Sequence, residues 1–349
     1  MTSILKSILL ATFVITLPSV KALADVTSQQ VWDGLRTAMV ASGFKLRASE
    51  TRNGTRLTIG DLQINKRFQD PGSDASGTIS LSVSSLQFLD KGNGKVNIVF
   101  PEKIPVILRS NSPNDGAFEM QLNLTQRNLV ITASGKPDEL RHDYAAETVG
   151  LNLGKFVLDG TEVPGTDVLA ELDIHDITGT SIRALRTDRN YTQNLSIGRM
   201  SYQGSMSIPS AAETRYNFSG QTTGLEFTGT TALPVILNWS DPLAVLTAGA
   251  SFDADWRYDR AEGDMSSVEG GEKFQQSSEI TAGSGRLALD KQRLLYKTKS
   301  AQSNLFLVMD ALPFPISLSL AKAAANVLLP LTANPTAQPC ATPYMRIYL

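Results

Sequence analysis

The chain is poor in the residues that most enzyme chemistry requires: of its 349 residues one is cysteine and two are histidine, and aromatics make up 7%. With Cys340 alone, no intramolecular disulfide can form. Exported eukaryotic domains usually carry several disulfides and bacterial envelope proteins often carry none, which favours the latter setting. The Asn-x-Ser/Thr triplets, such as those at Asn53 and Asn217, are read as chance in a chain rich in Ser, Thr and Asn.

His142 and His175 do not lie in a His-Glu-x-x-His spacing, and no other Cys or His sits beside them to build a tetrahedral zinc site. Gly-x-Ser-x-Gly is absent, so the strand-to-helix elbow of a Ser-His-Asp hydrolase is missing. There is no Gly-Lys-Ser/Thr phosphate loop, and Gly92-Asn93-Gly94 lacks the third glycine of a dinucleotide loop and reads as a hairpin turn. No cofactor is expected.

Lys and Arg total 32 against 34 Asp and Glu, with no basic block, so nucleic acid and anionic membrane surfaces are not expected partners. The one acidic concentration is Asp253, Asp255 and Asp259, followed by Glu262 and Asp264. It is the best candidate for a hard cation such as calcium. Its spacing is not that of an EF-hand loop, and the alternation with Phe252, Ala254 and Trp256 describes the wet face of a strand.

No apolar run reaches the roughly twenty residues of a membrane-spanning helix. The nearest, Ile8 to Leu17, follows Lys6 and precedes Ala22-Leu23-Ala24, which is the pattern of a signal peptide cleaved after Ala24. No cysteine follows it for lipid attachment. The expected address is the periplasm, with no transmembrane segment after cleavage.

What the chain does have is alternation. From Gly77 to Leu89, Ile79, Leu81 and Val83 alternate with serines, and the apolar phase then slips by one to Leu86 and Phe88. Strand side chains alternate between faces, so this is a sheet with one apolar and one wet face. Runs of four to ten residues repeat the pattern, among them Phe118 to Leu124, Val168 to Ile174 and Phe252 to Tyr258, separated by turn residues such as Arg52-Asn53-Gly54 and Asp70-Pro71-Gly72. Short connections imply antiparallel neighbours. The same spacing holds from Leu57 to Ile64, and Leu172 to Ile177 shares its first part; bulges or bends that curve the sheet are predicted at Gly60-Asp61 and Ser84-Ser85.

Val31, Leu35 and Met39, beside Trp32, give an amphipathic N-terminal helix capped by Thr27 or Ser28 and stopped at Gly43. Two further helices are expected, one from Asp241-Pro242 to about Thr247 and one from Leu320 to Leu329, Ala-rich and ended by Pro330. The fold class is mainly β, a β-rich α+β chain with a large curved antiparallel sheet. Residues 25–331 form one elongated or two-lobed domain, and 332–349 form a disordered or aberrant tail rich in Pro, Thr and Ala.

Asp25-Val26-Thr27 leading to Val31-Trp32, Leu129 to Gly135, and Pro313-Phe314-Pro315 leading to Asn326 to Pro330 resemble the exported alphaproteobacterial family labelled domain of unknown function 2125. The resemblance spans about residues 25–331 and implies an envelope protein without assigned catalytic residues. Members continue with sheet-like sequence where this chain turns to its tail, which implies a truncated or frame-shifted C-terminus.

Two functions fit these observations: a noncatalytic envelope scaffold or binding module, or a carrier of lipid or another apolar ligand on the sheet's apolar face. The carrier reading makes Trp32, Leu35, Met39, Ile79, Leu81 and Val83 groove-lining candidates, with the helix as a plug or lid. An envelope protein is the other candidate partner. An outer-membrane barrel would use the same alternation but wants longer strands and aromatic girdles. Produced with its own leader in a Gram-negative host, the mature protein is expected to begin at Asp25. N-terminal sequencing checks this, and an intact Met1 start would reject it.

Overall fold

The computed structural model describes residues 26–69, 76–112, 116–136, 138–185, 189–208, 214–234, 242–310, 312, 314–331 and 344–348. The expected signal peptide, the Asp70-Pro71-Gly72 turn and the start of the tail lie outside them. The described chain begins with helix α1 (Ser28–Ala41), followed by β1 (Lys45–Asn53), β2 (Arg56–Gln69), β3 (Ser76–Asp90), β4 (Val96–Val99), β5 (Lys103–Ser112), β6 (Gly116–Arg127), β7 (Val130–Lys136), β8 (Glu139–Leu158) and β9 (Thr161–Val163). Then come β10 (Val168–Leu185), β11 (Arg189–Ile208), β12 (Thr214–Leu233), helix α2 (Pro242–Thr247), β13 (Ser251–Glu269), β14 (Glu272–Leu289), β15 (Arg293–Ser300), β16 (Gln302–Met309), β17 (Ile316–Leu320), β18 (Ala323–Pro330) and β19 (Tyr344–Tyr348).

All strands belong to one 19-stranded antiparallel sheet, and the chain meanders across it. From β1 the sheet passes through β2 to β3, which pairs with both β4 and β5, and these pair in turn with β7 and β6. Both β6 and β7 pair with β8, and β10 to β14 follow in order. β14 pairs with β15 and β16, these with β18 and β17, and β19 extends the sheet beyond β18. Among the described residues no pairing joins β1 to β17, β18 or β19, so the sheet is open.

A crease crosses the sheet at right angles to the strands. In β2, Leu57 and Ile59 are buried on the same side as Leu62 and Ile64, because Asp61 takes a left-handed conformation (φ 50°) and absorbs one residue. The facing strand β3 slips in step: Ile59 pairs with Leu86 and Leu62 with Val83, leaving Asp61 opposite Ser84 unpaired. The β1 register shifts at the same level, between Arg47 and Ser49. These are the bends expected at Gly60-Asp61 and Ser84-Ser85.

The same interruption recurs strand after strand, at Asp176 (φ 55°) in β10, Gly198 in β11, Gly224 (φ 63°) in β12, Asp259 in β13 and Ala282 (φ 47°) in β14. At the same level β6 gives way to β7 through Asn128 (φ 55°), and β15 to β16 at Ala301. Apolar runs that read as separate strands of four to ten residues are therefore halves of strands of 18 to 20 residues in β8 and β10 to β14. A single left-handed residue preserves the ladder on both sides while moving the side-chain phase by one, which bends the strand without ending it.

The closed core sits at the N-terminal end. α1 begins with a capping box between Thr27 and Gln30, and the Ser28 amide and hydroxyl donate to the Asp90 carboxylate at 2.7 and 2.9 Å, fixing the helix to the end of β3. Val31, Trp32 and Leu35 then pack on Leu57, Ile59, Leu62, Leu86 and Phe88, with the Trp32 and Phe88 rings 5.9 Å apart and the indole N–H donating to Glu50 at 2.8 Å. The cluster extends to Ala133 and Leu140 and stops there.

The sequence expectation fails in the C-terminal region. Leu320 to Leu329 is not a helix, because Ala323 to Pro330 pairs residue for residue with β15. Alanine's helix preference is worth a few tenths of a kcal/mol per residue over ordinary residues, which one row of ladder bonds on an open sheet edge overrides. Tyr344 to Tyr348, at the end of the segment expected to be disordered or aberrant, pairs with β18. α2 forms where Asp241-Pro242 placed it.

At the crease, a Cβ on Gly224 would collide with the Asp259 carboxylate, and its φ of 63° already disfavours a side chain. Gly224→Ala is expected to destabilise by about 1–3 kcal/mol. Ala282→Gly, at φ 47°, is expected to be neutral or to stabilise by up to about 1 kcal/mol despite the flexibility it adds. Urea unfolding measures both, and equal destabilisation by the two would reject the crease as a left-handed constraint.

Candidate functional site

Residues paired across strands share a face, so the register assigns every side chain to one side. On the side that α1 covers at β1 to β3, the later strands present Val149, Leu151 and Leu153 in β8, then Val168, Leu172, Ile174 and Ile177 in β10. β11 and β12 add Leu195, Ile197, Met200, Tyr202, Met206, Tyr216, Phe218, Leu225 and Phe227. β13 to β18 continue with Phe252, Trp256, Tyr258, Ile280, Leu287, Leu305, Leu307, Val327 and Leu329. From β8 to β18 the paired positions on this side hold no Asp, Glu, Lys or Arg except Arg183 and Arg189 at one margin and Glu269 and Glu272 at the other.

No second layer comparable to α1 is described over this region, and its side chains are mostly half-buried, but Ala146, Tyr191, Ile197 and Ala254, on the Arg183 side of the crease, are buried, as is Val245 of α2. Leu158, Tyr202, Phe218, Met265, Tyr296, Ile316 and Leu318 are exposed outright, Phe218 at 48%. All but Tyr296 lie in the strand halves on the same side of the crease.

Glycines keep this face low. Tyr144 lies over Gly179, Tyr202 over Gly220, Phe218 over Gly204, Trp256 over Gly285 and Tyr258 over Gly283, each aromatic filling the space that a Cβ on the glycine would need. Rings that lie along the sheet in this way cover backbone instead of standing up as knobs. Adjacent pairs touch, with Tyr202 and Phe218 6.3 Å apart and Trp256 and Tyr296 6.0 Å.

The opposite face carries the charge, in cross-strand ion pairs Arg257–Glu226 and Arg286–Asp253, both at 2.6 Å, Arg260–Glu279 and Arg109–Glu119, with Arg260 also meeting Glu262 on its own strand. These pairs are solvated and contribute little stability each, about 0–1 kcal/mol. The acidic candidates for a cation lie here. Asp253 is paired with Arg286, whose charge also acts on Asp255, while Asp259 sits at the crease against Gly224. Among the described residues no group of three His, Cys, Asp or Glu side chains is placed to hold a metal ion.

A shallow wet-face depression of about 410 Å³ includes Glu171, Asp173, Glu262 and Asp264. Gln203 donates to Glu171, Gln221 to Glu262 and Ser277 to Asp264, so these carboxylates have partners within the sheet. His175 meets Thr148 Oγ1 through Nδ1 at 3.3 Å, with no nucleophile–base–acid chain around it.

The groove residues expected from the sequence fall elsewhere than on the open face. Trp32, Leu35 and Val83 are 1%, 4% and 4% exposed and belong to the closed core; Met39 and Leu81 pack against it, and Ile79 is half-buried beside it. The helix plugs that end, and the exposed apolar side chains lie further along the chain, from β8 onward. The signal for it was in the sequence as the same alternation, but alternation does not say which apolar residues a helix will cover.

One feature had no sequence signal. Arg183 is buried, 2% exposed, and neither its Nε nor its two terminal nitrogens has a hydrogen-bond partner. It pairs with Leu140 of β8 and Tyr191 of β11, next to His142, whose Nε2 is likewise buried and unpaired. Burial lowers Arg183 to about 10, helped by Arg189, and burial together with Arg183 lowers His142 to about 4.

Fold and site together define an open, creased antiparallel meander, closed by a helix at one end and carrying further on an apolar face whose charges stand at its margins. No known family, no curated protein and no solved structure matches the chain.

The state of His142 carries a pH signature. Its folded pKa lies below the unfolded value of about 6.5, so between pH 6.5 and 4 the unfolded chain binds the extra proton and stability falls with pH. The expected loss is on the order of 2–3 kcal/mol beyond that of the non-titrating His142→Leu variant. Parallel unfolding curves at pH 7 and pH 4 measure it, and an identical loss in both proteins would reject the buried neutral histidine.

Proposed function

We propose that this protein is a noncatalytic carrier of amphiphiles with apolar chains, working in the periplasm on the open sheet face. The observation that carries the reading is the apolar face from β8 to β18, free of charge between its margins, which on one side of the crease leaves Leu158, Tyr202, Phe218, Met265, Ile316 and Leu318 exposed. At strand spacings of about 4.8 Å and rises of about 3.3 Å per residue, its footprint is on the order of 1,500 Å². The largest apolar patch of an ordinary soluble monomer is about 300–600 Å². A bare face of this size in water calls for an apolar occupant.

Acyl chains suit the surface better than a protein partner does. Protein interfaces draw their energy from a few projecting aromatic or Arg anchors in matching pockets, and here the aromatics are laid down over glycines. A low, continuous apolar surface suits flexible chains without fixed knobs. Insertion into a bilayer as an open sheet is disfavoured, because unpaired backbone groups along the edges have no partners in hydrocarbon. No described helix is long and apolar enough to cross a membrane.

Phe218→Glu and Met265→Glu place a charge on the open face at positions already 48% and 43% exposed. Each is expected to leave the unfolding midpoint within about 0.5 kcal/mol of wild type. Each is also expected to weaken binding of a fluorescent apolar probe at least tenfold, while Ser219→Glu on the wet face leaves it unchanged. Equal probe binding by all four proteins would reject the open face as the binding surface.

A further inference from the structure

We propose that Arg183, with His142 beside it, receives the anionic head of the amphiphile, a carboxylate or phosphate, at the margin of the apolar face. The inference rests on the carrier reading and adds the class of ligand. A guanidinium has five N–H donors and keeps its charge at neutral pH, so burying it without an acceptor costs several kcal/mol. Arg183 is buried on all three nitrogens with no acceptor among the described residues. Structural buried arginines are held by carboxylates, and none is paired here. The nearest acids on β8, Glu139 and Asp143, lie on the opposite face, Glu139 exposed and Asp143 occupied by Arg141 and Thr180.

The surroundings have the same sign. Arg189 lies on the same face, close enough to oppose the charge on Arg183, and His142 supplies a second unpaired nitrogen, so among the described residues an arriving anion meets no competing carboxylate. A planar guanidinium matches carboxylate and phosphate oxygens two at a time. Arg183 is also continuous with the apolar face: along β10 the same side runs through Ser181, Gly179 and Ile177, over the crease to Ile174 and Leu172. Nine residues separate Arg183 from Ile174 in sequence, roughly 30 Å of strand. A head held at Arg183 would lay its chain along this track, and the carboxylates Glu269 and Glu272 stand at the far margin, where they would repel an anion.

The test uses the full mature protein and four probes: palmitate, hexadecyl phosphate, hexadecanol and inorganic phosphate. Wild type is expected to bind the two anionic amphiphiles at least tenfold more tightly than the alcohol, and inorganic phosphate far more weakly than its hexadecyl ester. Arg183→Met, which removes a buried unpaired charge at similar volume, is expected to bind all three amphiphiles with the affinity wild type shows for hexadecanol. Arg183→Lys, which keeps the charge and loses the fork, is expected to retain part of the preference and guards against a folding defect in the Met variant. Equal binding of acid and alcohol by wild type, or a preference that survives in Arg183→Met, would overturn the head-group site and leave the carrier reading standing. Inorganic phosphate binding as tightly as its ester would overturn the amphiphile and point to a free anion. Failure of wild type to bind any of the three amphiphiles would overturn the carrier reading itself.

Discussion

The structure depends on keeping one apolar set on one side of strands too long to stay straight. An uninterrupted 20-residue strand holds its side-chain phase, but the accumulated twist of many such strands makes a broad sheet hard to keep continuous. Here a left-handed or small residue in each long strand resets the phase at the same level, and neighbours slip together so that pairing survives on both sides. The residues that take the strained conformation are those that tolerate it, Asp61, Asn128, Asp176 and Gly224, with Ala282 as the exception. Because the slips align, they form one crease, and the apolar face continues across it.

From that constraint follows the uneven distribution of burial. The longer helix, α1, covers the face at β1 to β3, where it is fixed by its capping box, the Ser28–Asp90 contacts and the Trp32 indole. Beyond it the face keeps its composition, buried again around Tyr191, Ile197 and Ala254 and exposed at Tyr202, Phe218 and Met265. Its low relief comes from aromatic rings placed over glycines on the neighbouring strand, so that glycine, usually a liability in strands, here serves the surface. The wet face is a lattice of cross-strand ion pairs whose individual contributions are small but whose arrangement keeps charge to one side.

Much of this was legible in the letters, and particular residues show where legibility ended. Thr27, Val31, Trp32 and Leu35 announced the first helix through capping and spacing. The slip from Ile59 to Leu62 announced a bulge, because parity allows no other way to keep both residues inside. The same slip from Ile197 to Met200 or from Ile280 to Gly283 is hidden by glycines and serines with little polarity contrast. The Ala-rich segment from Leu320 to Leu329 misled because its local preference is weak beside the pairing offered by β15. Arg183 was invisible, since its burial depends on Leu140 and Tyr191, which are remote in the chain.

By itself the sequence determined the class of structure, an antiparallel sheet with one apolar and one charged face, because a period of two is written residue by residue and needs no partner to be read. It also determined that familiar catalytic and metal motifs are absent. Only the tertiary structure decided which apolar residues are covered and which are bare, that the phase slips line up into one crease, and that a lone guanidinium is shut inside. Those are properties of which strand lies beside which, and local letters carry no record of neighbours dozens of residues away.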